Sequence, residues 1–170
     1  MKKTLEELLA EAAIRDIQMR YCRGADRMDF DLMRSCFHPD ATLHFGFFVG
    51  SVEEFVAMGA EMLKTCAGTT HFTGNQIVEV KGDRAWAEHY TVATHRFPAD
   101  ENGPAREFIT FVRYIDNLEQ RDGDWRIAKR VLILDSTRMD VIADPGPDPG
   151  VQRGTRDRND VSYSLLIAGA

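Results

Sequence analysis

The sequence predicts an α+β fold, with helices in the first third and an antiparallel meander behind them. Two capping boxes open helical segments early in the chain. Four strand-like segments then fill residues 71–136. Glycine–aspartate turns and one proline-bounded loop separate the strands.

Thr4 followed by Glu7 is a capping box, so the first helix begins there. Leu5, Leu9, Ala13, Ile17 and Tyr21 recur every four residues beside Leu8 and Ala12, which predicts one buried stripe. Gly24 loosens the end of this helix, and Asp26 follows. Asp29 caps a short second helix through Phe30, Leu32, Met33 and Phe37, which ends at His38-Pro39 because the residue before proline avoids helical geometry. Residues 41–49 read as a strand. Ser51 and Glu54 form a second capping box, opening a third helix with Val52, Phe55, Met58, Met62 and Leu63; Gly68 closes it. Strands are expected over 71–80, 84–97, 106–119 and 125–136, with turns at Gly82-Asp83 and Asp122-Gly123-Asp124 and a loop over 98–104. Helices cover one face of a sheet, so the sheet must curl. Residues 1–136 read as one domain. Residues 137–170 read as an extension: a lid, an oligomer arm or a partly disordered tail. Its proline-rich run 144–150 cannot be helix or inner strand, and Val161, Tyr163, Leu165, Leu166 and Ile167 favour docking of its end, on this subunit or a neighbour.

A chain of 170 residues with 44% hydrophobic and 28% charged residues suits one globular domain with a substantial core. The net charge of −6 lacks the basic footprint of a nucleic-acid binder. The basic run Arg126-Ile127-Ala128-Lys129-Arg130 alternates as a strand with one basic face. Cys22, Cys36 and Cys66 form no CxxC pair, which points to a reducing compartment. The N-terminus lacks a signal-peptide core and no apolar run approaches a membrane span, so a cytoplasmic protein is expected, without a membrane partner.

Asp26 and His71 are the candidate catalytic pair. A carboxylate that meets an imidazole orients it and stabilises its protonated form, making a general base without metal or cofactor. By residue type alone the plainer alternative is a surface aspartate and a histidine satisfied by a backbone carbonyl. Tyr21 lies on the same buried stripe; pattern alone reads it as a core tyrosine whose hydroxyl finds a partner. His38, His44, His71, His89 and His95 are scattered, with no HxH or HxxxH pair, so no metal site is expected. There is no GxSxG for a serine nucleophile.

The run from Ala12 through Ile17, the run Arg20-Tyr21-Cys22-Arg23-Gly24-Ala25-Asp26-Arg27-Met28-Asp29, and Cys36-Phe37-His38-Pro39-Asp40-Ala41 together resemble the SnoaL-like branch of the nuclear-transport-factor-2-like superfamily. So do Tyr114-Ile115-Asp116 and the hairpin through Gly123-Asp124-Trp125-Arg126-Ile127. The resemblance spans roughly residues 5–136. It implies a cone-shaped α+β barrel, with three N-terminal helices packed on a strongly curved, mostly antiparallel sheet around an apolar pocket. Members include scytalone dehydratases, bile-acid 7α-dehydratases, hexachlorocyclohexane dehydrochlorinases, polyketide cyclases, ketosteroid isomerases and the small subunits of ring-hydroxylating dioxygenases. In the dehydratase and dehydrochlorinase members an Asp after the first helix pairs with a His at the start of the strand after helix three; Asp26 and His71 occupy those positions. Bile-acid dehydratases place a Tyr five residues before the Asp, the spacing of Tyr21. Scytalone dehydratases add a second His on a later strand, a part His89 or His95 can play.

The resemblance implies a cofactor-independent lyase of dehydratase type, or an isomerase, acting on a small hydrophobic molecule. Asp26, His71 and Tyr21 are then catalytic. Phe45, Phe47, Phe55, Met58, Met62, His89, Tyr90, Phe108, Phe111 and Ile133 are candidates for substrate contact, although such side chains also serve as plain core. An aromatic, terpenoid or steroid-like molecule fits them better than a sugar phosphate. A homodimer or homotrimer is expected. The alternative is a non-catalytic small-molecule binder, or a structural subunit similar to the dioxygenase small subunits, in which Asp26 and His71 make a structural hydrogen bond.

Overall fold

The computed structural model describes residues 2–101, 103–143 and 150–165. Three helices, α1 (Leu5–Asp26), α2 (Phe30–Ser35) and α3 (Val52–Lys64), pack against a curved, unclosed sheet. Its strands are β1 (Phe37–His44), β2 (Val49–Ser51), β3 (Gly68–Lys81), β4 (Arg84–Phe97), β5 (Arg106–Arg121) and β6 (Asp124–Val141), and a short α4 (Val161–Ser164) follows. The spatial order is β2-β1-β6-β5-β4-β3. Every pairing is antiparallel except β1 with β6, which is parallel.

Both capping boxes form as the sequence predicts, Thr4 with Glu7 and Ser51 with Glu54. The buried face of α1 differs from the expected stripe. Ala10, Ile14, Ile17, Gln18, Tyr21, Cys22 and Ala25 face the sheet, whereas Leu5 and Leu9 are 73% and 63% exposed and Leu8 is exposed too. Gly24 does not loosen α1: it admits a close approach. A Cβ there would meet the Met33 backbone nitrogen at 2.9 Å, and the Gly24 carbonyl accepts from Asp29 N at 2.8 Å.

The second helix stops at Ser35, and Phe37 opens β1 instead of closing α2. His38 and Pro39 are therefore strand residues. The β1–β6 register slips between Phe37 and Thr42, and β2 pairs only with residues 42–44, so Pro39 has few ladder bonds to interrupt. The expected strand over 41–49 divides at a turn with Gly46 at φ 74°. Thr65, in right-handed helical geometry, caps α3, and Gly68 begins β3. Asp122 and Gly123 both take positive φ (55° and 89°), the two-residue turn that matches strand twist. β6 runs to Val141 and not to Ser136. Residues 144–149, Leu166 and Ile167 lie outside the described residues, while residues 150–165 return to α1, to the α1–α2 turn and to the end of α3.

Strand alternation sorts the sheet into two faces. On β4, Ala85, Ala87, His89, Thr91 and Ala93 are buried against the helices. Ile14, Leu43, Leu118 and Ile127 form the sealed centre of the core. Leu118→Ala should lower unfolding free energy by about 2–5 kcal/mol in urea titration, whereas Leu9→Ala should change it by less than about 0.5 kcal/mol.

Candidate active site

Asp26 is the last residue of α1, and the chain leaves the helix through Met28 at φ 51°. His71 is the fourth residue of β3. The fold brings them into contact at two points. His71 Nδ1 lies 2.7 Å from Asp26 Oδ1, and the His71 backbone N–H donates to Asp26 Oδ2 at 2.9 Å. An ionised carboxylate only accepts, so in this pairing Nδ1 is the donor, and in a neutral ring Nε2 then holds the lone pair. Both side chains are largely buried, at 8% exposure for His71 and 13% for Asp26.

His71 lines a cavity of about 610 Å³ enclosed by α1, α2, α3 and the inner face of the sheet. Its walls are Phe, Met, Leu, Val and Ala side chains, with Tyr21, His95, Thr110, Tyr114 and Thr137 as further polar points. No Asp, Glu, Lys or Arg lines it among the described residues. His95 meets His71 edge-on, with ring centroids 5.6 Å apart at 83°. Burial, reinforced by the nearby His71, pulls His95 down to about 4, so its ring is neutral at pH 7. Its Nδ1 is buried without a partner among the described residues.

The cavity rests on a buried polar platform. Arg130, fully buried, donates Nε to Asp116 Oδ1 and Nη2 to Asp116 Oδ2, each at 2.8 Å. Nη2 also donates to Gln18 Oε1 at 2.6 Å, and Gln18 Nε2 donates to Asp116 Oδ2 at 2.5 Å. The guanidinium lies 4.2 Å from the Tyr21 ring centroid and 4.5 Å from that of Tyr114. Burial pushes the Tyr21 phenol up to about 12, against the pull of Arg130, so it stays protonated.

Residues 6–131 match the SnoaL-like domain family. This chain belongs to that family. It is similar in structure to the LinA-type3 hexachlorocyclohexane dehydrochlorinase of Novosphingobium barchaimii, with a TM-score of 0.70 and 18% identity over 81% of this chain and 97% of the other. A putative scytalone dehydratase from Novosphingobium aromaticivorans gives 0.69 and 19%, over 86% and 97%. A Mycobacterium tuberculosis protein of unknown function gives 0.64 and 26%, over 75% and 73%. No curated protein sequence matches the chain significantly. These likenesses show that this SnoaL-like protein shares its fold with neighbours that include a dehydrochlorinase and a putative dehydratase.

Of the residues singled out from sequence, Tyr21, Phe45, Phe47, Phe55, Met58, Met62, His71 and Phe108 line the cavity. Four do not. Tyr90, Phe111 and Ile133 point to the outer face, because on their strands the neighbours Val112, Leu132 and Leu134 and the buried Thr91 take the inner one. His89 is inward but sits behind Tyr114, its ring stacked at 5.0 Å. Sequence reasoning missed Tyr114, Thr110, Leu132 and Thr137; period-two alternation from one known inward residue recovers the first three, whereas Thr137 lies past the register shift between Leu134 and Ser136. It also missed the Gln18–Asp116–Arg130 platform, since Arg130 reads as part of one basic face of a strand. Among the described residues no group of three His, Cys, Asp or Glu is arranged to hold a metal ion, and no helix is long and apolar enough to cross a membrane.

Burial pulls His89 down to about 3, as it does His95 to about 4. The unfolded chain therefore binds more protons than the native one below the ordinary imidazole value. Stability is full above about pH 6.5 and falls on acidification towards those lower values, by at most about 1.4 kcal/mol per pH unit per histidine. Urea titrations between pH 7 and pH 4.5 should show this loss, with a shallower slope for His89→Gln.

Proposed function

We propose that this protein is a cofactor-independent lyase that eliminates water or a similar leaving group from a small, neutral, hydrophobic molecule. One observation carries the proposal: a histidine whose Nδ1 is held by a buried carboxylate presents its ring to an apolar cavity. His71 Nε2 takes a proton from a carbon next to an activating carbonyl, the freed electron pair forms the double bond, and the leaving group departs. Asp26 keeps the ring in the required tautomer and stabilises the imidazolium. Tyr21, protonated at neutral pH, donates to the leaving oxygen or to the activating carbonyl. His95 stays neutral and so adds no charge beside the imidazolium. Positioned acid–base catalysis of this kind contributes roughly 10²–10⁴-fold. Returning the proton to another carbon makes the same parts an isomerase.

The cavity suits an aromatic, terpenoid or steroid-like substrate. Its volume falls in the usual range for such ligands, and without a charged wall it has nothing to pair with a phosphate or carboxylate. The three free cysteines, Cys22, Cys36 and Cys66, are buried, which suits a reducing cytoplasmic setting. The outer sheet face exposes Phe72 (70%), Ile77, Tyr90, Phe111 and Ile133, which supports association as a homodimer or homotrimer.

With neutral terpenoid or steroid-like β-hydroxy ketones, loss of water should be seen as growth of enone absorbance. His71→Ala should lower kcat by ~10²–10⁴-fold, with a smaller loss of roughly 10²-fold for Tyr21→Phe. Native rates in both His71→Ala and Asp26→Asn would end the proposal. Sedimentation should give a dimer or trimer for the native chain and a lighter species for Phe72→Glu; a native monomer would rule out the association.

A further inference from the structure

The catalytic reading uses α1, β3 and the cavity but leaves residues 150–165 without a role. This segment lies over the seam between the α1–α2 turn and the end of α3. Arg27 holds it through the Thr155 carbonyl and, at 3.2 Å, the Asp160 carboxylate. Tyr163 donates its hydroxyl to Asp29 at 3.0 Å, and Arg158 meets the same carboxylate. Arg23 lies over the Tyr163 ring and donates to the Ser162 hydroxyl. Asp26 thus sits between two residues, Arg23 and Arg27, that both hold the segment.

Arg156 makes the inward contact. Its Nη1 donates to the carbonyls of Leu63 (2.7 Å) and Cys66 (2.6 Å) at the C-terminal end of α3, where the helix dipole concentrates negative charge; the Leu63 carbonyl also accepts from the Cys66 backbone N–H at 3.2 Å. Leu63 and Met62 are cavity walls. Two contacts account for one nitrogen. Nε and Nη2 are also buried, yet have no hydrogen-bond partner among the described residues. The cross-strand neighbours Thr69 and His95 show the same condition at Thr69 Oγ1 and His95 Nδ1. The Arg156 charge acts on Asp26 and on His95; the other charged or titratable groups acting on His95 are His71 on β3 and Asp26 on α1, while its close β5 neighbour Phe108 is uncharged.

We propose that Arg156 is a positioning residue of the Asp26–His71 site: from the C-terminal segment it pins the end of α3, a wall of the cavity that His71 lines, and supplies a fixed positive charge to that side of the site. This rests on the catalytic reading of the pair. A guanidinium keeps its full charge whatever it hydrogen-bonds, so Arg156, with Nε and Nη2 shielded from water, both steadies the end of α3 and acts electrostatically on His95. The C-terminal segment is then part of the active site.

Proton NMR of the full chain tests this. In native protein the Asp26-bound His71 Nδ1 proton should resonate far downfield of the amides and exchange slowly with water. Arg156→Gln should speed that exchange by at least about tenfold and raise the His95 titration midpoint by ~0.3–1 pH unit. Arg156→Lys should restore the midpoint to within about 0.3 of native, and Arg158→Gln, which removes an exposed charge from the same segment, should change neither signal. Native-like exchange and midpoint in a folded Arg156→Gln protein would overturn the role. If that variant does not fold, a His95 midpoint in the ordinary imidazole range for Arg156→Lys, whose charge is kept, would overturn it equally. Absence of the downfield proton from native protein would overturn the pairing itself, and the Arg156 role with it.

Discussion

The guanidinium of Arg130 lies where α1, β5 and β6 meet, and the fold is organised around holding its charge out of water. Asp116 grips it from β5 through two parallel hydrogen bonds, and Gln18 reaches it from α1. A buried cation is costly unless its partners are well placed, and removing one partner strands the other, typically at 3–5 kcal/mol. The network therefore constrains where α1 can cross the sheet. Gln18 and Asp26 lie on the same helix, so the register that sets Gln18 against Arg130 also brings Asp26 to β3. The rings of Tyr21, Phe37 and Tyr114 surround the guanidinium and screen it from the cavity.

The interior consequently has a gradient of polarity. At its base are a compensated ion pair and a neutral His89. Above it are two tyrosines whose phenols stay protonated, and then a wide apolar chamber with His71 and His95 in its wall. In such surroundings each polar contact made with a bound molecule is stronger than in water. The Asp26 carboxylate reaches both the ring and the backbone nitrogen of His71, so the strand fixes the carboxylate and the imidazole cannot swing without breaking its hydrogen bond to it. Orientation of this kind is set before any ligand arrives.

Local signals were legible wherever a short stretch of chain decides its own conformation. Both capping boxes, the Asp122-Gly123 turn and the bounds of β4 follow from residues near in sequence. Errors arose where distant packing decided. Leu5, Leu8 and Leu9 have helical spacing and apolar side chains, yet no surface reaches them among the described residues. Pro39 reads as a break but lies in a strand, because the irregular β1–β6 register tolerates its missing donor. Tyr90, Phe111 and Ile133 are ordinary pocket residues by type; which face each takes depends on strand register, and a one-residue change reverses it.

The sequence alone determined the order of elements, the α+β class, the family resemblance and the residues able to run acid–base chemistry, because capping, turn chemistry and side-chain type are local properties. Tertiary structure decided which of those residues meet. It joined Asp26 to His71 across 45 positions, turned Arg130 from one member of a basic strand face into a fully buried core residue, and brought Arg156 to the end of α3. Contacts between distant residues depend on how helices and strands pack, and their spacing along the chain does not encode that.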